Sequence, residues 1–204
     1  EAAQDSTLEP WQRDFMLGMA NDGAEGTAPP PASAVSRGAL RPTGTAADDG
    51  AWTEFPPPSA RGAHTAIYDP VRDRILVFGG SNSSSSLNDV WALSLAGSPA
   101  WSELALEPTR RYLHTAIYDP VRDRMLVFGG YDDGGVLVDN VWALSLAGSP
   151  AWSDLAPAGT PPAGRYGLTA FYDPARDRML VFGGASAGSF GLNGVWALSL
   201  AGSP

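Results

Sequence analysis

One ten-residue segment, Val-Trp-Ala-Leu-Ser-Leu-Ala-Gly-Ser-Pro, occurs three times without change, at residues 90–99, 141–150 and 195–204. A second segment, Leu-Val-Phe-Gly-Gly, recurs in step with it and ends at Gly80, Gly130 and Gly184. The copies are spaced by about 50 residues, a length at which one structural unit is duplicated in propellers and other repeat proteins. This repetition constrains the architecture more than any single residue does.

Each repeat predicts four short β-strands joined by turns. Residues 75–78 form an apolar run that ends at a Gly-Gly pair and is too short for a typical helix. The Asp69-Pro70 step before this run is typical of a type I turn. The predicted strands of the first repeat are residues 64–68, 75–78, 90–95 and 101–104, and strand one recurs at 114–118 and 168–172. One antiparallel meander cannot bury both of its faces, so we expect neighbouring sheets to stack around an axis as the blades of a β-propeller.

Several residues recur in phase with the predicted strands. They are the Gly-Gly pairs, an arginine before strand one, and tryptophans in strands three and four: Gly79, Gly80, Gly129, Gly130, Gly183 and Gly184; Arg61, Arg111 and Arg165; Trp91, Trp142 and Trp196; Trp52, Trp101 and Trp152. With this set, residues 51–204 resemble the kelch-repeat β-propellers, such as the central domain of galactose oxidase. The resemblance implies an all-β, kelch-type propeller of four-stranded antiparallel blades, in which the glycines and tryptophans are structural. Strand three departs from the family pattern, because it has Trp where kelch units more often have Tyr.

The repeats begin with a strand-four segment, residues 51–55, and end after a third strand three. Kelch propellers, which the chain resembles, typically build one blade from both termini, so we expect residues 51–55 to complete the last blade. Three blades are fewer than the roughly 4–8 of known propellers. We therefore expect a homodimer with a six-bladed ring, in which each chain donates its strand to the partner. A piece of a longer kelch protein and a compact three-bladed monomer are the alternatives.

Residues 1–50 lie outside the repeats and predict an N-terminal extension. A short helix is expected over residues 6–20, where Trp11, Phe15 and Met19 fall on one face. A Pro/Gly/Ala-rich linker is expected over residues 26–50. The extension is interpreted either as a segment that covers part of the repeat domain or as an anchor to another molecule.

Composition excludes several classes of function. The formal net charge is −9, which disfavours nucleic acid and anionic membranes as partners. The chain has no cysteine, hence no disulfide, thiolate metal site or cysteine nucleophile. No apolar stretch is long enough to predict a membrane span. The chain begins with Glu1 rather than Met, and every basic residue is arginine, which favours an exported, periplasmic or cell-surface protein of bacterial origin.

The loops predict a binding face. The loops between strands one and two and between strands three and four are nearly identical in all copies, whereas those between strands two and three and between blades differ. Variation confined to one face favours ligand binding there, although neutral drift of loops gives the same pattern. The candidate ligand- or partner-binding residues are Arg61, Arg110, Arg111, Tyr112, Tyr131, Asp132, Arg165 and Tyr166. The alternative for Arg61, Arg111 and Arg165 is a structural pairing with the backbone or a carboxylate of a neighbouring blade, and for Asp132 a turn role.

No catalytic constellation is legible in the sequence. The two histidines, His64 and His114, occupy equivalent positions, where packing or a hydrogen bond is favoured over a metal site. Galactose-oxidase chemistry needs a Tyr–Cys pair that the chain lacks, so we expect no catalytic residue, metal or cofactor. The leading hypothesis is a non-catalytic scaffold that binds a protein or a glycan. A self-assembling structural or surface protein built by strand exchange is the alternative, and an unidentified enzyme of hydrolase or lyase type is a lesser one.

Overall fold

The computed structural model describes residues 54–55, 58–106 and 109–202. The chain divides into two compact units, Glu1–Phe55 and Pro56–Pro204. All strands of the described residues lie in the second unit. They are β1 (Thr65–Asp69), β2 (Arg74–Phe78), β3 (Asp89–Ser94), β4 (Ala100–Leu106), β5 (Thr115–Asp119), β6 (Arg124–Phe128), β7 (Val141–Ser145), β8 (Ala151–Leu155), β9 (Thr169–Asp173), β10 (Arg178–Phe182) and β11 (Val195–Ser199).

The strands form three antiparallel sheets, each a meander of consecutive strands. Blade 1 has the order β1-β2-β3-β4, blade 2 the order β5-β6-β7-β8, and blade 3 the order β11-β10-β9. Their registers are equivalent, with Thr65 opposite Phe78, Thr115 opposite Phe128, and Thr169 opposite Phe182. The predicted all-β architecture of repeated antiparallel sheets is thus confirmed, and blade 3 has three strands among the described residues.

The structure describes only part of the chain to which the other predictions about chain organisation refer. Strand one ends at Asp69 rather than at Tyr68, one residue later than expected, and the equivalent strands shift in the same way. The predicted helix at 6–20 and linker at 26–50 lie outside the described residues. The predicted strand at 51–55 lies mostly outside them too, and its last two residues, Glu54 and Phe55, are described and belong to no strand.

The one-residue shift of strand one has a cause in the turn that follows. The side chain of Asp69 is fully buried, and its Oδ1 accepts hydrogen bonds from the backbone N–H groups of Val71 at 3.1 Å and Arg72 at 3.3 Å. Its Oδ2 accepts one from Nε of Arg74 at 2.8 Å. Asp69 therefore closes the sheet and shapes the turn at once, a combination that Asp side chains offer by bonding to the backbone two residues on. Asp119 repeats all of these contacts in blade 2.

The Gly-Gly pairs allow neighbouring blades to approach closely. The N–H of Gly80 donates to the carbonyl of Arg111 in the next blade at 2.8 Å, and the N–H of Gly130 donates to that of Arg165 at 2.7 Å. A Cβ on Gly79 would lie 2.6 Å from the Arg111 oxygen, so only glycine fits there. These contacts bring the first strands β1, β5 and β9 side by side.

A chain of backbone hydrogen bonds links the blades at the same level. The N–H of Leu113 donates to the carbonyl of Ala63 at 2.9 Å, and the N–H of Gly167 donates to that of Leu113 at 3.0 Å. Ala63, Leu113 and Gly167 all have positive φ angles, of 54°, 56° and 63°. The left-handed backbone conformation thus recurs at each boundary, even where the residue is alanine or leucine rather than glycine.

Two apolar clusters fill the spaces between the blades. The first joins the face of blade 1 that carries Phe78 and Val90 to the face of blade 2 that carries Met125 and Leu144, with Trp142 and Trp152 packed against it. The second joins the opposite face of blade 2 to blade 3, and its members include Ile117, Phe128, Val141, Met179 and Val181. Each boundary thus buries a full layer of apolar side chains, which is the main favourable contribution to folding.

The close approach at the glycine pairs predicts a large cost for a side chain there. A Cβ on Gly130, whose φ is +84°, would lie 2.5 Å from the Tyr112 oxygen, whereas one on Gly148, whose φ is +68°, meets nothing within 4 Å. Because both positions are left-handed, Gly148→Ala measures the backbone strain alone, about 1–2 kcal/mol. We expect Gly130→Ala to lower the free energy of unfolding by about 3 kcal/mol or more, through strain plus overpacking. Urea denaturation of both variants checks this, and equal losses would contradict it.

Candidate binding face

The loops that vary between repeats lie together on one face of the blades, which we call the variable face. It comprises the strand two-to-three loops and the loops that enter each blade. Isolated β-bridges join the two kinds of loop in each blade: Gly62 with Ser81, Tyr112 with Tyr131, and Tyr166 with Ala185. The backbone of this face is therefore braced by hydrogen bonds rather than left to the loops alone.

Three of the predicted binding arginines hold the glycine pairs of their own blades. One Nη atom of each donates to the carbonyl of the first glycine of the pair: Arg61 to Gly79 at 3.2 Å, Arg111 to Gly129 at 3.3 Å, and Arg165 to Gly183 at 3.1 Å. Arg111 is 1% exposed and Arg165 is 5% exposed. The three side chains thus lie beneath the variable face and bond within their own blades, whereas the structural alternative placed these contacts between neighbouring blades.

The residue facing each of these arginines differs from blade to blade. Arg61 forms a bidentate ion pair with Asp89, at 2.6 and 2.8 Å. Arg111 instead donates to the side-chain oxygen of Asn140 at 3.0 Å. Burial lowers the pKa of Arg111 to about 10, with the more distant charges of Asp132 and Asp154 opposing the effect. A guanidinium buried with an amide partner is costly, and its backbone contact to the glycine pair is the compensating interaction.

The predicted tyrosines form an aromatic ladder across the blades. The rings of Tyr112 and Tyr131 stack with centroids 5.4 Å apart, and the ring of Tyr166 lies 5.1 Å from that of Tyr131. Tyr112 and Tyr131 are buried, while Tyr166 is half-buried. The Tyr131–Tyr166 pair adds to the packing energy of the boundary between blades 2 and 3. The ladder therefore joins blades 2 and 3 beneath the loops.

The side chains that the variable face exposes to solvent are not these buried arginines and tyrosines. Arg110 and Asp133 form an ion pair at 3.6 Å in which both side chains stay about half exposed. Val136 is 59% exposed and Phe190 is 55% exposed. Asp132 shapes the loop beneath them, because its Oδ1 accepts from the N–H groups of Gly134 and Val136, both at 2.9 Å. Of these exposed residues, the sequence analysis selected Arg110 but not Asp133, Val136 or Phe190. The position of these three in the variable loops could have identified them.

The two equivalent histidines occupy different environments. His114 is buried at the boundary of blades 1 and 2, where its Nε2 lies 2.8 Å from Oγ1 of Thr65 and its ring packs against Phe78. Burial lowers the pKa of His114 to about 3, helped by the nearby charge of Arg111. His64 is largely exposed. The pKa of His64 is lowered mainly by the part of its ring that is buried, and in second place by the positive charge of Arg61. In the described part of the chain, no three His, Cys, Asp or Glu side chains are grouped to hold a metal ion.

The opposite face, which carries the nearly identical turns, is called the constant face. Ion pairs on this face connect the blades. Arg72 of blade 1 pairs with Asp123 of blade 2 at 2.6 Å, and Arg122 of blade 2 pairs with Asp177 of blade 3 at 2.8 Å. The hydrogen bonds from these arginines lower the pKa values of Asp123 and Asp177. Each arginine also pairs with its own blade's Asp69 or Asp119.

Stacked meanders with repeated boundary contacts define a repeat protein built of propeller blades. A family model described as the KLHDC2/KLHL20/DRC7 kelch-repeats domain matches residues 47–201. The chain therefore belongs to the kelch-repeat family. Domains of this family are generally non-catalytic interaction domains that bind protein partners. In the described residues, no helix is long and apolar enough to cross a membrane.

The buried histidine predicts a pH-dependent stability. The folded chain keeps His114 neutral down to about pH 3, whereas the unfolded chain takes up a proton below about pH 6.5. Acidification from about pH 6.5 to 5 therefore lowers the free energy of unfolding, by up to about 1.4 kcal/mol per pH unit from this group.

The variant His114→Leu carries the residue that blade 3 has at Leu168, and we expect it to remove this share of the slope. Urea denaturation at several pH values checks the difference between the variant and the parent chain. His64→Leu is the matched control, since His64 is exposed and its substitution leaves most of the slope in place. An unchanged slope in His114→Leu would contradict the buried, neutral imidazole.

Proposed function

We propose that the chain is a non-catalytic scaffold that holds a protein partner on its variable face. The observation that supports this is the contrast between a braced support and exposed side chains that differ in every blade. The tyrosine ladder and the buried arginines hold the loops, while Arg110, Asp133, Val136 and Phe190 extend from them into solvent. Rigid scaffolds with variable loops are a common arrangement for binding.

The exposed chemistry favours a protein over a glycan. Phe190 and Val136 are large apolar side chains with more than half of their surface open, and burying them against a partner is favourable. Arg110 adds a charged anchor of the kind enriched in binding hot spots, and Asp133 supplies the opposite charge beside it. Apolar and charged side chains exposed on one face suit a protein partner that offers both acidic and apolar residues.

A photo-crosslinking label at position 190 tests this proposal, with the label at Val121 of the constant face as control. Val121 is 64% exposed and belongs to a turn that is shared between repeats. We expect a crosslinked protein from the 190 label alone. Equal labelling from both positions, or binding to glycan arrays without a protein adduct, would overturn the proposal.

Substitutions then measure the contribution of each side chain. We expect Phe190→Asp and Arg110→Glu each to weaken the partner's affinity by about tenfold or more, because each removes an anchor from the contact. Val121→Asp, the same kind of change on the constant face, is expected to leave affinity unchanged. Surface plasmon resonance with the crosslinked partner provides the measurement, and parallel losses in all three variants would show that the face is wrong.

A second function, self-assembly into a six-bladed ring of two copies, is favoured by the edge of blade 3. Strand β11 pairs with β10 on one side, and no strand of the described residues pairs with its other side. A groove of about 630 Å³ follows that edge, lined by Asp154–Ala158 of blade 2 and by residues 197–202. In blades 1 and 2 the fourth strands β4 and β8 occupy this place. An open strand edge readily accepts another strand.

The proposed donor is residues 51–55 of the partner copy, whose sequence matches strand four. Phe55 aligns with Leu104 and Leu155, both of which pack against the blade cores. We expect Phe55→Asp to shift a two-chain mass to a one-chain mass in size-exclusion chromatography with light scattering. Glu54→Asp, a conservative change at the neighbouring exposed position, is the control. A dimer that persists in Phe55→Asp would contradict strand donation.

A further inference from the structure

One set of side-chain contacts is repeated at the two boundaries between blades. On the constant face, Nη1 and Nη2 of Arg72 donate to both carboxylate oxygens of Asp123, at 3.0 and 2.6 Å. Arg122 donates to Asp177 in the same bidentate way, at 3.1 and 2.8 Å. In each case the arginine belongs to the earlier blade and the aspartate to the later one. The arrangement therefore has a direction along the row of blades.

The last arginine and the first aspartate of this series are left at opposite ends of the row. Arg176 of blade 3, the equivalent of Arg72 and Arg122, pairs with Asp173 of its own blade at 3.3 Å. Its side chain is 65% exposed, against 29% and 17% for the two arginines that bridge blades. Asp73 of blade 1 is exposed as well, and among the described residues its carboxylate accepts a side-chain hydrogen bond from Tyr68 alone.

Asp73 nevertheless has the same conformation as the two aspartates that do bind an arginine from the preceding blade. Its Oδ1 accepts from the Tyr68 hydroxyl at 2.8 Å, as Asp123 accepts from Tyr118 at 3.0 Å and Asp177 from Tyr172 at 2.9 Å. Its φ of 45° matches the 48° and 46° of the two bridged aspartates. The acceptor is thus prepared in the conformation that binds an arginine, without an arginine from a preceding blade.

The apolar faces at the two ends match in the same direction. Phe171, Phe182 and Val195 on the free face of blade 3 are 51%, 50% and 65% exposed. Their counterparts in blade 2, Ile117, Phe128 and Val141, are 4%, 3% and 3% exposed because blade 3 covers them. The same apolar face is buried in blade 2 and open in blade 3, which indicates that another blade can pack against blade 3.

The face of blade 1 that is turned away from blade 2 is open around Tyr68. Tyr68 is 51% exposed, whereas its counterpart Tyr118 packs against the core between blades 1 and 2. Val77 and Leu93 on this face are already buried, so the open part lies around Tyr68 and Asp73. His64, also exposed, corresponds to His114, which bonds to Thr65 of the preceding blade. The same contact would join His64 to Thr169 of another copy.

We propose that blade 3 of one copy docks on blade 1 of a second copy, and that Arg176 pairs with Asp73 across this contact. The inference rests on the proposed assembly of two copies and deepens it, because it assigns the surface and the charge pair that orient the contact. Two such contacts, related by a twofold axis, close six blades into a ring. The occupant is a second copy of this chain, since the open apolar face of blade 3 and the acidic acceptor of blade 1 continue the series seen at the two boundaries within the chain.

A double-mutant cycle on the full chain tests the charge pair, with dimer dissociation followed by light scattering over a concentration series. Arg176→Gln removes the donor, and Asp73→Asn removes the acceptor charge while keeping a residue that tolerates the left-handed backbone. We expect each variant to raise the dissociation constant by about tenfold or more, and the double variant to raise it no further than one single variant does. Arg110→Gln, the same change on the variable face, is the control and is expected to leave the constant unchanged.

The remaining outcomes separate this inference from the proposals above. A dimer unaffected by Arg176→Gln and Asp73→Asn overturns the docking contact but leaves strand donation standing. Independent, additive effects of the two substitutions also overturn the pairing. A single-chain mass for the parent protein at micromolar concentration overturns both assembly proposals, while binding on the variable face is measured separately. A mass that grows with concentration beyond two copies supports the contact and overturns closure of the ring.

Discussion

The fold depends on the close approach of the backbone at the Gly-Gly pairs of blades 1 and 2. There the N–H of the second glycine donates to the carbonyl of the arginine in the next blade, and the first glycine leaves no room for a Cβ. This contact sets the distance between the first strands, and the apolar layers between the blades can then interdigitate. The same arginines turn their side chains back to the glycine pair of their own blade. Backbone and side chain of one residue therefore serve two different blades.

The two faces of the row of blades differ in what their side chains do. In blades 1 and 2 the constant face carries a buried aspartate and an arginine that bridges to the next blade, and these residues hold the blades together. The variable face is supported from below by the tyrosine ladder and leaves the tips of its loops open to solvent. Under the proposed function, a partner on this face would contact side chains that differ from blade to blade, which would distinguish one binding orientation from the others.

Much of the fold follows from the sequence because the repeat imposes it three times. The spacing of the glycine pairs, the apolar runs and the Asp-Pro turns predicts the meanders and their stacking without any long-range information. The roles of Arg72 and Arg111 do not follow in this way. Arg72 has aspartates both three residues away and 51 residues away, and only the stacked blades show that it bonds to both. Arg111 belongs to a polar loop, and nothing local indicates that its guanidinium turns inward.

Backbone hydrogen bonds and one Arg–Asp ion pair recur at both boundaries, so these contacts do not depend on which two blades meet. The hydrogen-bond chain from Ala63 through Leu113 to Gly167 needs only backbone atoms, and it tolerates three different side chains at its nodes. Any blade of this type can follow any other without a new interface having to arise. Gene duplication or loss can therefore lengthen or shorten such an array by whole blades, while each blade keeps its own loops and its own binding chemistry.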